Sequence, residues 1–280
     1  MDLVPPLVSF GTYKIKGRAA YDATLSALSC GYRSIDTARC YGNEEEVGRA
    51  LAASRICRSE LFVTSKIAPW EMGEPDSAIN ASLAALRLDY LDLMLIHWPG
   101  KSKTAVSSPD NRIAREDCWR ALRRAKAEGK CRAIGVSNFT VAHMQELLVL
   151  DGGPPSDLAV NQVERHPLYP QRELLEFCQA RGITLQSYSP LGCGDARVLK
   201  HPALEALAEE SQMPVADLLL LWQARQGIPL VVKSVSPSRI KSNWDCLSVA
   251  SAERLDPETA RKIDLIADEE KICWNPNQVL

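Results

Sequence analysis

Along the chain, short apolar or β-branched runs alternate with stretches whose apolar residues recur every three or four positions. The runs predict strands at "LVSFG" near 7–11, "RSID" near 33–36, "LFVTSK" near 61–66 and "LDLMLIH" near 91–97. Four more follow at "RAIGVSN" near 132–138, "LAVNQVE" near 158–164, "TLQSYS" near 184–189 and "PLVVKS" near 229–234. Between them the pattern turns helical, as in "AAYDATLSAL", "NEEEVGRALAAS", "PDSAINASLAAL", "EDCWRALRRAKAEG", "VAHMQELLVL", "QRELLEFCQARG" and "PVADLLLLWQARQG". Asn43 suits an N-cap, Pro75 a first helical turn and Gly129 a C-terminal cap. Eight βα units predict an α/β fold in which a parallel sheet closes into a (β/α)8 barrel, a single domain over residues 1–280. A doubly wound open sheet is the competing arrangement, weakened because no G-x-G-x-x-G follows the first strand.

In such a barrel, chemistry is built at the C-terminal ends of the strands, so polar residues there are candidates. Asp36, Lys66 and His97 end the second, third and fourth predicted strands, about 30 residues or one βα unit apart. Tyr41 lies in the loop just after Asp36. A carboxylate, an ammonium, an imidazole and a phenol can therefore converge on one rim. Taken singly, each has a milder reading: an ion pair at the rim, a satisfied core histidine, a ring packed in a loop.

Composition adds exclusions. With 280 residues, 46% hydrophobic and 24% charged, the chain can bury a large core, and its net charge of -2 gives no sign of a nucleic-acid or anionic-membrane partner. No apolar run approaches membrane-spanning length. The opening "MDLVPPLVSF" carries Asp2 and the pair Pro5-Pro6, unlike a signal peptide, so a cytoplasmic location is expected. Nine cysteines without a C-x-x-C pair argue for reduced thiols, not a disulfide framework or a zinc site. His143, His166 and His201 read as surface or loop residues without metal spacing, and no metal is expected.

With those motifs in view, the chain resembles the aldo-keto reductases over nearly its full length. "GYRSIDTARCYGNEEEVGRAL" answers to that family's pattern, and "TSK", "LDLMLIHWP", "IGVSNF", "NQVE", "SYSPLG" and "KSVSPSRIKSN" follow in the family's order. The resemblance implies a catalytic tetrad of Asp36, Tyr41, Lys66 and His97, an NADP(H) cofactor, and reduction of a small-molecule carbonyl to an alcohol; a monomer is expected. Free tyrosine, with a pKa near ~10, is a poor proton donor to a carbonyl. Lys66 is expected to stabilise the Tyr41 phenolate, with Asp36 holding the ammonium, while neutral His97 donates to the substrate oxygen.

The resemblance also assigns Ser137, Asn138 and Gln162 to the nicotinamide carboxamide and Tyr188 to stacking on the ring. Ser189, Leu191, Ser234 and Asn243 join them as cofactor-binding residues. Ser236 and Pro237 read as N-cap and first helical residue, so a helix N-terminus beside Lys233 and Arg239 forms an anion site, which the resemblance assigns to the adenosine 2′-phosphate. Ser242 departs from the adenine-contacting glutamate of many members. Between Gly192 and His201 the chain is shorter than the loop that folds over the cofactor in many relatives, so easy cofactor release is expected. With the ending "KICWNPNQVL", the long C-terminal loop of steroid-handling members is not expected. Tyr13, Cys40, Trp98 and Trp274 are the expected pocket walls. Two other readings are a Schiff-base aldolase using Lys66 and a non-catalytic nucleotide-binding barrel, such as a lens crystallin or channel-associated subunit.

Overall fold

A computed structural model describes residues 4–153, 156–248, 251–266 and 269–280. Eight parallel strands close into a barrel in chain order: β1 (Val8–Gly11), β2 (Ser34–Asp36), β3 (Phe62–Ile67), β4 (Leu91–Ile96), β5 (Cys131–Ser137), β6 (Leu158–Glu164), β7 (Thr184–Tyr188) and β8 (Leu230–Val232). The helices α1 (Gly17–Cys30), α2 (Glu44–Ser54), α3 (Pro75–Leu86), α4 (Asp110–Ala127), α5 (Val141–Leu150) and α6 (Arg172–Gln179) link the first seven strands. Three more, α7 (Ala196–Leu199), α8 (Pro202–Ser211) and α9 (Val215–Arg225), separate β7 from β8, and α10 (Pro237–Leu247), α11 (Ser251–Arg254) and α12 (Pro257–Asp264) follow it. Every predicted strand is present, and the ends agree within two residues. Closure rules out the open sheet, since β1 pairs with β8 through Val8–Leu230, Ser9–Val231 and Phe10–Val232.

Strands covered on both faces need apolar residues on both, which is why they read as runs instead of a strict alternation. Val63, Ile67, Met94, Ile96 and Ile134 join the core shared with the helices, while Phe62, Leu93, Leu95, Ala133 and Val160 form a separate layer inside the barrel. That interior is tight at Gly135. A Cβ there would lie 2.4 Å from the Val160 carbonyl oxygen and 3.0 Å from Leu95 Cδ2, beside a register shift between β5 and β6.

Paired polar side chains also run through the interior. Ser9 Oγ and Ser34 Oγ are 2.7 Å apart, Gln186 donates to Ser9 at 3.5 Å, and Gln162 Nε2 donates to Gln186 Oε1 at 2.9 Å and to Asp36 Oδ2 at 2.7 Å. All are buried, and such groups persist in a core only when their bonds are made. This chain of side chains reaches from the barrel interior to the strand-end carboxylate.

Two local expectations change. Asn43 occupies the N-cap position of α2 without capping it. Its amide instead donates to the carbonyls of Thr12 and Ile15 at 2.9 and 2.8 Å and accepts from Thr37 Oγ1 at 2.9 Å, tying two rim loops together. His143 and His166 are not surface residues but buried ones. His143 Nδ1 accepts from the Thr140 N–H at 3.2 Å and Nε2 lies 2.7 Å from the Val279 carbonyl, and His166 Nε2 lies 3.1 Å from Glu164 Oε1. No helix among the described residues is long and apolar enough to cross a membrane.

Candidate active site

Asp36 is the last residue of β2 and Lys66 the penultimate residue of β3. Strand alternation turns both side chains inward, where Lys66 Nζ donates to Asp36 Oδ1 at 2.6 Å and to the Thr37 carbonyl at 2.9 Å. The ammonium is wholly buried. A lone buried charge would cost several kcal/mol, and removing one partner of such a pair costs roughly 3–5 kcal/mol.

Tyr41 is carried by a 3-10 turn over Arg39–Tyr41, which Arg39 pins between Glu44 at 3.2 Å and Glu71 at 3.0 Å. Glu44 is itself buried and accepts from Ser65 Oγ at 2.6 Å. Tyr41 Oη thereby stands 3.4 Å from Lys66 Nζ, and its ring meets His97 edge-on at 5.6 Å. His97 follows β4 directly, so all four groups of the expected tetrad lie together at the C-terminal rim.

Burial sets the resting protonation of these groups. Burial, with Asp36 adding to it, holds the Tyr41 phenol well above its usual range. Against that burial, Lys66 Nζ lies 3.4 Å from the Tyr41 oxygen while paired at 2.6 Å with Asp36. The Tyr41 phenol is therefore protonated at neutral pH. Burial and then Lys66 push His97 well below its usual value, so the imidazole is neutral. Cys40 Sγ lies 3.2 Å from His97 Nδ1, and burial pushes the thiol up to about 11. A protonated thiol donating to Nδ1 leaves the ring proton on Nε2, a tautomer assigned from the hydrogen bond.

Around this centre, Asn138 links three elements. Its amide donates to the His97 carbonyl and to Ser137 Oγ, both at 3.0 Å, and accepts from Tyr188 Oη at 2.7 Å. Ser137 Oγ in turn donates to the Gln162 carbonyl at 2.8 Å. The Gln162 amide nitrogen serves Asp36 Oδ2 and Gln186 Oε1. Ser189 has φ 49 and leads with half-buried Leu191 into the segment after β7.

Lys233, Ser234, Arg239 and Asn243 form a second group beyond β8. Lys233 and Arg239 are exposed, Ser234 is buried, and Asn243 is half-buried on α10. Ser234 Oγ accepts from the Ser236 N–H at 3.1 Å and from Arg239 Nε at 3.3 Å. Ser236 makes no side-chain cap, so its hydroxyl leaves the first-turn N–H groups of α10 alone. Ser242 turns back to the Arg239 carbonyl at 3.3 Å. Of the expected pocket walls, Tyr13 packs on Tyr41 at 5.1 Å and Cys40 on His97, while Trp98 and exposed Trp274 meet edge-on at 6.3 Å.

A sequence model of the Aldo/keto reductase family matches residues 7–268. The chain belongs to that family. It is 40% identical to the glyoxal reductase of Bacillus subtilis (strain 168) over 278 residues, 98% of this chain and 94% of that one. It is 35% identical to the glycerol 2-dehydrogenase (NADP(+)) of Saccharomyces cerevisiae over 294 residues, 98% of this chain and 93% of the relative. Among solved structures, MGS-M4, an aldo-keto reductase from a Medee basin deep-sea metagenome library, superposes with a TM-score of 0.84 at 34% identity, covering 97% of this chain and 95% of that one. As an aldo-keto reductase the chain is an oxidoreductase.

The tetrad positions were legible as strand ends, but the residues that hold them were not. Thr37, whose carbonyl receives Lys66, and Glu164, which binds the tail, lie within the quoted motifs but had no role assigned, and Gln186, which shares Gln162 with Asp36, lies just before "SYSPLG". Their only signal was polarity inside an otherwise buried strand or at its end.

Proposed function

We propose that this aldo-keto reductase reduces aldehydes or ketones to alcohols with NADPH, as a cytoplasmic, monomeric, single-domain enzyme over residues 1–280. The observation that carries the reading is the Lys66–Asp36 pair lying directly behind a protonated Tyr41 and a neutral His97 on one rim. The chain also offers what the cofactor needs: carboxamide partners in Ser137, Asn138 and Gln162, a platform in Tyr188, and two cations beside an uncapped helix N-terminus. NADPH, when bound, supplies the hydride. His97 Nε2–H holds the substrate oxygen, and Tyr41 delivers the proton as negative charge develops there. The Lys66 ammonium, fixed by Asp36, then stabilises the phenolate left behind.

Lys66 has no exposure and spends its donors on Asp36, Thr37 and Tyr41, which disfavours imine chemistry. Purified protein is expected to oxidise NADPH with glyoxal or a simple aldehyde, small carbonyls suggested by the relatives' names, and to show no borohydride-trapped adduct. Absence of turnover across an aldehyde and ketone panel would leave only the non-catalytic barrel. The pH profile follows from the two shifted groups. His97 stays neutral on either side of its usual 6.5 because its value is lowered, and Tyr41 stays protonated past 10.0 because its value is raised. Reduction, measured as kcat/KM, is expected to run flat through neutrality, and alcohol oxidation, which needs the phenolate, to rise toward alkaline pH. A break in reduction near 6.5 would mean that His97 titrates normally and does not hold the substrate as a neutral donor.

A further inference from the structure

The segment after β7 and the C-terminal tail meet at the rim through two thiols. Cys193 is exposed and Cys273 half-buried, with their Sγ atoms 3.7 Å apart across 80 sequence positions. Ser189 Oγ sits beside both, 3.0 Å from Cys193 Sγ and 3.8 Å from Cys273 Sγ. Each cysteine has its own scaffold. Glu164, buried at the end of β6, accepts from the Ile272 N–H at 2.7 Å, the Cys273 N–H at 3.0 Å and the Lys271 ammonium. Burial opposes the Glu164 charge, but His166, Lys271 and the tail amides outweigh it and hold the carboxyl down at about 2, so this anchor persists across ordinary pH. On the other side Cys193, at φ 57 between two glycines also at positive φ, forms the tip of a left-handed turn. Arg197 adds a second link between the segments, bonding Asp195 at 2.9 Å and Glu270 of the tail at 3.0 Å.

We infer that Cys193 and Cys273 are an oxidisable pair whose disulfide, formed by a peroxide, staples the segment after β7 to the C-terminal tail. The Cys193 thiolate attacks a peroxide oxygen, the O–O bond breaks, and the leaving hydroxide takes a proton to become water. Cys193 is then a sulfenic acid. Cys273 attacks that sulfur, the S–O bond breaks, and the departing hydroxide takes the Cys273 proton. Two thiols and one hydrogen peroxide thus give one disulfide and two waters. Cys193 is exposed and Cys273 half-buried, so peroxide meets Cys193 first, which makes Cys193 the nucleophile and Cys273 the resolving thiol, and the hydrogen bonds from Cys273 and Ser189 favour the Cys193 thiolate. Bond formation at about 2.05 Å requires a closure of roughly 1.7 Å, within reach of an exposed turn flanked by glycines.

The consequence rests on the cofactor reading above. Ser189 follows Tyr188 and Trp274 follows Cys273, so the bond joins the cofactor side of the rim to the substrate wall. Oxidation is expected to slow NADP+ release while leaving a single turnover of bound NADPH unaltered. The test uses the full chain, reduced and then treated with hydrogen peroxide. Peptide mapping without reductant is expected to find a Cys193–Cys273 link that dithiothreitol reverses, and stopped-flow measurement to find NADP+ dissociation slowed by roughly threefold or more. In Cys273→Ser the link is lost, Cys193 is trapped by dimedone, and dissociation keeps its reduced-state rate. Wild-type protein that yields a sulfenic acid without the link, or a link to another cysteine, overturns the pair. A correct link with unchanged NADP+ dissociation overturns the staple across the cleft. Failure of the reduced protein to bind NADP+ counts against the cofactor reading, and the mapping then decides the thiol pair independently.

Discussion

Replacing Tyr41 with phenylalanine is expected to cut carbonyl reduction by roughly 10²–10⁴-fold while leaving NADPH affinity nearly unchanged. The substitution removes one oxygen and little else. The ring keeps its packing on Tyr13 and its edge contact with His97, and Lys66 keeps both Asp36 and the Thr37 carbonyl. The fold and the ion pair behind the ring therefore remain satisfied, and the loss falls on proton delivery. Neither neighbour can replace the phenol. Lys66 lies wholly buried behind it, and His97 is a neutral donor whose ring proton is needed for orientation. Steady-state NADPH oxidation with a good aldehyde reads the rate, and fluorescence titration reads the affinity. Near-normal turnover would place the proton on another donor and sink the mechanism given above.

The barrel was legible because its signal is local and repeated. Each strand is covered on both faces and so reads as a run, each helix carries one apolar stripe, and eight repetitions leave little freedom in the topology. Asp36, Lys66 and His97 were legible for the same reason, since a parallel βα repeat sends every strand's C-terminal end to one rim. What the pattern does not carry is how charges combine in three dimensions. The Tyr41 phenol is raised chiefly by its burial, and the Lys66 ammonium lies 2.6 Å from Asp36 and 3.4 Å from the phenol, none of which leaves a trace in spacing. His143 looked like a helix-surface residue because its imidazole is buried by the Val279 carbonyl, from the far end of the chain. The contact between Cys193 and Cys273 is hidden in the same way, both residues lying in irregular segments where periodicity says nothing.

The double substitution Lys233→Ala and Arg239→Ala is expected to weaken NADPH far more than NADH, lowering the preference by at least about tenfold. Only NADPH carries a 2′-phosphate, and a charge-assisted bond to phosphate contributes about 1.5–3 kcal/mol when well formed. Both side chains are exposed, so solvent screening discounts that figure, and about 1.4 kcal/mol from the pair together already gives tenfold. Local structure favours the assignment. Ser234 Oγ holds Arg239 Nε at 3.3 Å, setting the guanidinium at the end of β8, and the uncapped first turn of α10 presents its N–H groups beside it. Pro237 at the helix start is untouched by either change, so the helix itself is expected to persist. Raising the ionic strength should erode NADPH affinity more than NADH affinity in the wild type, and the variant should lose that difference. Equal losses for the two cofactors in fluorescence titrations would show that the phosphate binds elsewhere on the rim.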